Sequence, residues 1–276
     1  MKKPKETRTR FHIINKLRED NRLTPLSIYG LIAGFVFLGI LIFDLILKPD
    51  KVDILVEFHG LFFDLVVFGI ILTIYDTWKQ RRERISTLLD QLDDFWDWET
   101  DEGILRKVGI IKRLIEMNYE LPRMTAIRLS GADFFNLEFT RLIFQNSKLD
   151  NSKFNWAKLT DSFFSSSDFR NSNFEYCKFY KSTIAASDFE NANLRFCNFI
   201  DTVIRGNVSF QNSNLHSAVF ENTQFKPEAF GYPDFTNADL SMANLHGADL
   251  TFCKGLTKDQ IESARIDGNT KLPDYL

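Results

Sequence analysis

From Leu129 onward the sequence repeats every five residues. Large apolar residues stand at Leu129, Phe134, Phe139, Phe144, Leu149, Phe154, Leu159, Phe164, Phe169, Phe174, Phe179, Ile184, Phe189, Leu194, Phe199 and Ile204, with no step missed. Two residues before most of them stands a small one, as at Ala132, Ser147, Ser152, Ala157, Ser162, Ser167, Ser172, Ser182 and Ala192. The other three positions of each five are mostly Asp, Asn, Lys, Arg, Glu or Ser. The chain holds 28 Phe against 7 Tyr and 4 Trp, so one structural slot is being filled repeatedly. Neither an α-helix nor a flat strand returns a residue to the same environment at period five. A chain that turns a corner every five residues does. The large residue and the small one two before it then both point inward, as i and i−2 do on a strand. Successive coils stack at strand spacing, about 4.8 Å. A single repeat buries nothing alone, so stability comes from stacking.

The clearest repeats are Ala238-Asp239-Leu240, Ala243-Asn244-Leu245 and Ala248-Asp249-Leu250, with Ala132-Asp133-Phe134 and Ala192-Asn193-Leu194 close behind. The pattern resembles the pentapeptide-repeat family, A(D/N)LXX with Leu or Phe at the centre, over residues 123–256. The resemblance implies an all-β, right-handed quadrilateral β-helix with four repeats per coil. Residues twenty apart, or a multiple of twenty, would then share a column, as in the core ladders Phe134, Phe154, Phe174 and Phe139, Phe179, Phe199. Cys177 and Cys197 are also twenty apart. They are read as two small buried residues of the inner column rather than as a metal or disulfide pair. Thr257 and Gln260 form a capping box for a short helix to about Ala264, within a C-terminal cap and tail at 257–276.

Two departures interrupt the period. One residue is inserted around Arg205–Val208, which reads as a bulge. Lys226–Pro233 puts Glu228 and Pro233 where small inward residues belong, and reads as a distorted face or a protruding loop. Arg205, Lys226, Glu228 and Tyr232 are therefore candidates for a partner-binding loop.

The N-terminal part has a different character. Leu26–Leu47 and Ile54–Tyr75 are apolar runs of spanning length, joined by a short turn. They read as a two-helix transmembrane hairpin at 26–75, after a basic stretch at 1–25. Lys and Arg crowd the first 23 residues and the segment after Tyr75, while the turn holds only Lys48 and Lys51. The positive-inside rule then puts both termini and the β-helix in the cytoplasm, at a bacterial inner membrane. Asp44, Glu57, His59 and Asp64 lie inside the runs and mark an ion path or an assembly contact. Trp78, Arg81, Arg82 and Arg84 are placed at the lipid headgroups.

Residues 76–122 read as a helical linker and N-terminal cap. Ile85, Leu88, Leu89, Leu92, Phe95 and Trp96 recur at helical spacing. After a break at Glu99–Gly103, the residues Ile104, Leu105, Val108, Ile111, Leu114 and Ile115 form a second apolar face, which Pro122 stops. That helix is placed to cover the open apolar end of the solenoid.

No enzyme signature is present: no nucleotide-binding Gly loop, no HExxH and no GxSxG. The four His are scattered and the three Cys fit no zinc spacing. The expectation is a non-enzyme without cofactor or metal. The leading reading is a membrane-tethered scaffold, homo-oligomeric, that presents its β-helix to a cytoplasmic protein. The alternative is a pore of oligomerised hairpins regulated by the β-helix. Some soluble relatives of this family are similar to B-form DNA and protect topoisomerases, which needs a strongly acidic surface. Residues 124–276 hold 18 Asp+Glu against 15 Lys+Arg, a difference of only −3. The whole chain is also at −3, so no direct nucleic-acid contact is expected either.

Overall fold

A computed structural model describes residues 52–228 and 231–276. The chain divides between Thr87 and Leu88 into two units. In the first, the described residues belong to helix α1, Val52–Asp94. Ile54–Tyr75 is helical throughout, and Leu26–Leu47 lies outside the described residues. Among the described residues no helix is long and apolar enough to cross a membrane.

The second unit is a solenoid with a helical start. Its strands are β1 (Met124–Thr125), β2 (Glu138–Thr140), β3 (Ile143–Gln145), β4 (Lys158–Thr160), β5 (Phe163–Ser165), β6 (Thr183–Ala185), β7 (Val203–Arg205) and β8 (Gln224–Lys226). They form a six-stranded sheet in the order β1-β3-β5-β6-β7-β8 and a two-stranded sheet β2-β4. Every pairing is parallel. Phe144 pairs with Phe164, and Phe164 with Ile184, so one coil takes twenty residues, or four five-residue steps. The period-five reading of the core holds along this solenoid. Phe134, Phe154, Phe164, Phe174, Phe179, Phe189, Phe199, Phe210 and Phe220 have no exposed surface.

The polar positions follow from backbone chemistry. In the repeat, the Asp or Asn before the large residue accepts the N–H two positions on. Asp133 takes it from Phe135 at 3.0 Å, and Asn173 from Glu175 at 3.0 Å. This Asx turn is why the pattern asks for D or N there. The small inward serines do more than leave room. Ser182 Oγ donates to Leu159 O at 2.6 Å and accepts from Ser162 N at 3.0 Å. Where the corner closes with its own turn bond, as from Ala157 N to Phe154 O at 3.0 Å, alanine suffices.

The two interruptions are local. Val203 pairs with Gln224, so the single insertion lengthens that coil by one residue. Gly206 takes φ +67° there, and a Cβ on it would meet Glu228 Oε2 at 2.9 Å. Beyond Phe225 the chain makes an excursion closed by a bridge between Glu228 and Gly231. Pro233 takes the small inward position and is buried. Glu228 does not, contrary to its place in the repeat: it leaves the coil and lies 3.2 Å from Arg205.

Helix α2 (Asp101–Glu116) starts at Thr100, whose side chain accepts from Gly103 N at 3.2 Å. Its inward face differs from the expected one. Leu105 is 70% exposed, while Lys107 and Ile110 are buried beside Ile104, Val108, Ile111 and Leu114. Lys107 falls on the apolar stripe at i+3 from Ile104 and i+4 before Ile111, so geometry and not polarity sets its position. Its ammonium donates to Trp98 O at 2.7 Å, to Trp96 O at 3.3 Å and to Arg128 O. Burial pulls its pKa down to about 8, against the opposing influence of Asp97 and Glu99. Helix α3 (Lys258–Ser263) begins with a reciprocal capping box between Thr257 and Gln260. The Gln260 amide also donates to Phe235 O and Ala238 O, at 3.0 and 2.8 Å.

Candidate interaction surface

The corners of the solenoid require a left-handed residue. One corner is filled by residues that tolerate it: Gly131, Asn151, Asn171, Asn191, Asn212 and Asn237, all at positive φ. The next corner along the chain is different. It begins with Asn136 and continues with Trp156, Tyr176 and Phe196 at φ 63°, 60° and 56°. Bulky aromatic residues seldom adopt this conformation, which costs about 1–2 kcal/mol per residue.

The three side chains stack down the outside of the corner. The rings of Trp156 and Tyr176 are 4.2 Å apart and 17° from parallel. Those of Tyr176 and Phe196 are 4.7 Å apart and 8° from parallel. His216 closes the far end edge-on at 5.8 Å, and its Nδ1 lies 2.8 Å from Ser241 Oγ. The Arg195 guanidinium lies 5.2 Å from the Phe196 ring centre. Trp156, at the other end, is 52% exposed. Strained backbone, surface position and continuous stacking coincide on three successive rungs. Positive φ recurs at other corners, at Arg141, Asp161, Lys181 and Ala186 among them, so it is the stacked outward aromatics that set this corner apart.

Lys153, Lys158, Lys178 and Arg195 flank the ridge residues in the chain, with Glu175 next to Tyr176 and with Asp133 and Glu138 one rung before Lys153 and Lys158. Lys158 pairs with Glu138. Among the described residues Lys153, Lys178 and Arg195 have no ion-pair partner. Arg195 Nε is buried without a hydrogen-bond acceptor.

The residues singled out from sequence fall elsewhere. Asp44 lies outside the described residues. Glu57, His59 and Asp64 are carried on α1, where Asp64 is exposed. On the same helix Arg82 lies 5.3 Å from the Trp78 ring centre, and Arg81 and Arg84 are exposed. Phe134, Phe154 and Phe174 stack at 4.9 and 4.8 Å, and Phe179 on Phe199 at 4.9 Å, all inside. In the excursion, Arg205 contacts Glu228, Lys226 O accepts from Gly206 N at 3.0 Å, and Tyr232 is 48% exposed. Cys177 and Cys197 are free thiols on adjacent rungs, and Cys197 Sγ donates to Phe174 O at 2.9 Å. Burial pushes both thiols far up, so neither offers a thiolate. Among the described residues no His, Cys, Asp or Glu cluster could hold a metal. The aromatic ridge itself was not legible at period five, because its members occupy outward positions.

Eight copies of the pentapeptide-repeat family model match residues 147–184 and 234–254. The solenoid is built of pentapeptide repeats. Solved structures similar to it include QnrB1, a plasmid-mediated fluoroquinolone resistance protein, at 20% identity, with 55% of this chain and 92% of that one covered and a TM-score of 0.34. HetL, a pentapeptide-repeat protein involved in heterocyst differentiation regulation from the cyanobacterium Nostoc sp. strain PCC 7120, is 16% identical, over 59% of this chain and 79% of that one, at a TM-score of 0.28. Rfr23 from the cyanobacterium Cyanothece 51142 is 27% identical, over 38% and 63%, at 0.23. The search of curated proteins found no match. The pentapeptide-repeat assignment thus rests on the family model and on the stacked register of the coils.

Proposed function

We propose that this protein is a non-enzymatic scaffold, tethered to a membrane, whose pentapeptide-repeat solenoid presents the Trp156–Tyr176–Phe196 ridge as an interaction surface. The observation that carries this reading is the ridge itself. Three aromatic residues stack in a row on the outside of one corner, with Trp156 exposed and Tyr176 and Phe196 half-buried, in a backbone conformation that bulky residues seldom adopt. Trp, Tyr and Arg are also the residue types enriched at binding hot spots. The tether rests on the sequence of residues 26–75, with two apolar runs and basic flanks that favour both termini in the cytoplasm of a bacterial cell. Homo-oligomerisation through the hairpin would bring Asp64 and Glu57 together as polar contacts.

Photo-crosslinking tests the ridge. A benzoylphenylalanine placed at Tyr176 in the full chain in cells is expected to give discrete adducts, and one placed at Asn171 on the neighbouring corner is not. Equal labelling from both positions, or none from Tyr176, would remove the ridge from the proposal. Resistance of the chain to alkaline extraction from membranes checks the tether separately.

A further inference from the structure

We infer that the ridge docks on an anionic lipid surface, an inference that rests on reading the ridge as an interaction surface. Its rings sit on the outside of a corner, Trp156 exposed and Tyr176 and Phe196 half-buried. Trp and Tyr flanked by Lys and Arg is the composition of the membrane–water interface, where amphipathic rings sit at headgroup level. Lys153, Lys178 and Arg195 form no ion pair among the described residues, whereas Lys158 is paired with Glu138. Four cations against Asp133, Glu138 and Glu175 leave this edge at +1 although the whole chain is at −3, which favours anionic headgroups. A single-stranded nucleic acid fits less well. Bases bind aromatic platforms by stacking on open ring faces, whereas spacings of 4.2 and 4.7 Å leave no room for a base between these rings. A short ridge binds lipid weakly when free. On a tethered chain it meets the bilayer at an effective concentration set by the linkage, so weak docking is enough.

Purified full-length protein bound to vesicles of phosphatidylcholine, with and without phosphatidylserine, tests this. Brominated phosphatidylcholine quenches indoles at headgroup and upper-chain depth. The Trp156 contribution is the difference between the natural chain and Trp156→Phe, a change that keeps the stack aromatic. The expected result is strong quenching of that contribution on phosphatidylserine vesicles. It should be several-fold weaker without phosphatidylserine or at high salt, and lost in Lys178→Glu/Arg195→Glu. Circular dichroism of each variant verifies that the solenoid is intact. If the chain floats with the vesicles while Trp156 stays unquenched, the lipid inference is overturned, and crosslinks from position 176 to a protein would then leave the ridge as a protein site. A chain that floats with neither vesicle overturns it as well, together with the tether. Absence of any adduct from position 176, to protein or to lipid, overturns the ridge reading and this one together.

Discussion

The indole of Trp156 stacks on the phenol ring of Tyr176 at 4.2 Å, although both residues hold a left-handed backbone on the outside of the solenoid. Two opposing terms meet there. The backbone conformation costs about 1–2 kcal/mol for each bulky residue. Each stacked pair returns about 0.5–1.5 kcal/mol beyond the area it buries.

Replacing Tyr176 with Asn therefore relieves strain while it removes two stacks. The expected change in stability is below about 1 kcal/mol, because the neighbouring corner already runs on Asn. Thermal unfolding followed by circular dichroism should show a nearly unmoved midpoint. A loss above about 2 kcal/mol would show that the ridge is a structural strut. A neutral result, combined with lost crosslinking, would mark residues kept for binding rather than for folding.

The core answers differently. Phe174 lies 4.8 Å from Phe154 and 4° from parallel, with no exposed surface. Phe174→Ala should cost about 3–5 kcal/mol through lost burial and the cavity left behind. Phe174→Leu should cost much less, on the order of 1 kcal/mol, since Leu159 and Leu194 fill the same kind of slot elsewhere. Urea unfolding measures both. Equal losses would mean that the ring stack, and not the filled volume, holds the coils together.

The inward serines give a finer test. Ser162 N–H donates to the Ser182 hydroxyl oxygen at 3.0 Å. Ser152 N–H has the Ser172 hydroxyl at 3.1 Å and also Leu149 O at 3.3 Å. Ser182→Ala leaves a buried donor unpaired and should cost about 1–3 kcal/mol. Ser172→Ala leaves a donor that keeps its turn bond, and should cost visibly less. Matching unfolding curves for the two variants would contradict this account of why small residues at these positions are so often Ser.

Much of this architecture was legible because one physical constraint repeats. Every fifth residue must fill the core, so Phe139, Phe144 and Phe154 announce the solenoid before any coordinate does. Outward residues obey no such constraint. Trp156, Tyr176 and Phe196 share a corner only because four steps close a coil, and they line up only when outward positions are compared at period twenty. Lys107 was hidden for a related reason. A charged residue within an apolar stripe looks like a solvent position until three carbonyls are found around its ammonium. Leu105 shows the converse, an apolar residue one position off the buried face of α2. The interruption at Lys226–Pro233 was visible, but the departure of Glu228 from the coil toward Arg205 depends on the path of the excursion, which the repeat does not encode.

Lys107 also makes the stability of the solenoid's first coil depend on pH. Its folded pKa is pulled down to about 8 from an ordinary 10.5, with burial as the main cause. Between these values the unfolded chain binds more protons at this site than the folded one. Stability from this group therefore rises as pH increases from about 8 toward 10.5, and is flat below that window. Lys107→Met removes the titration and leaves the carbonyls of Trp96, Trp98 and Arg128 without the ammonium. The variant is expected to be less stable at neutral pH by about 2–4 kcal/mol, since unpaired buried acceptors outweigh the relief of burying a charge. Across the alkaline window the gap between the two proteins should widen, because only the natural chain gains from losing its proton. Urea unfolding at neutral pH and at pH values spanning 8 to 10.5 reads this directly. A constant gap would mean that the ammonium stays solvated and ordinary, and that its three carbonyl contacts do not form in solution.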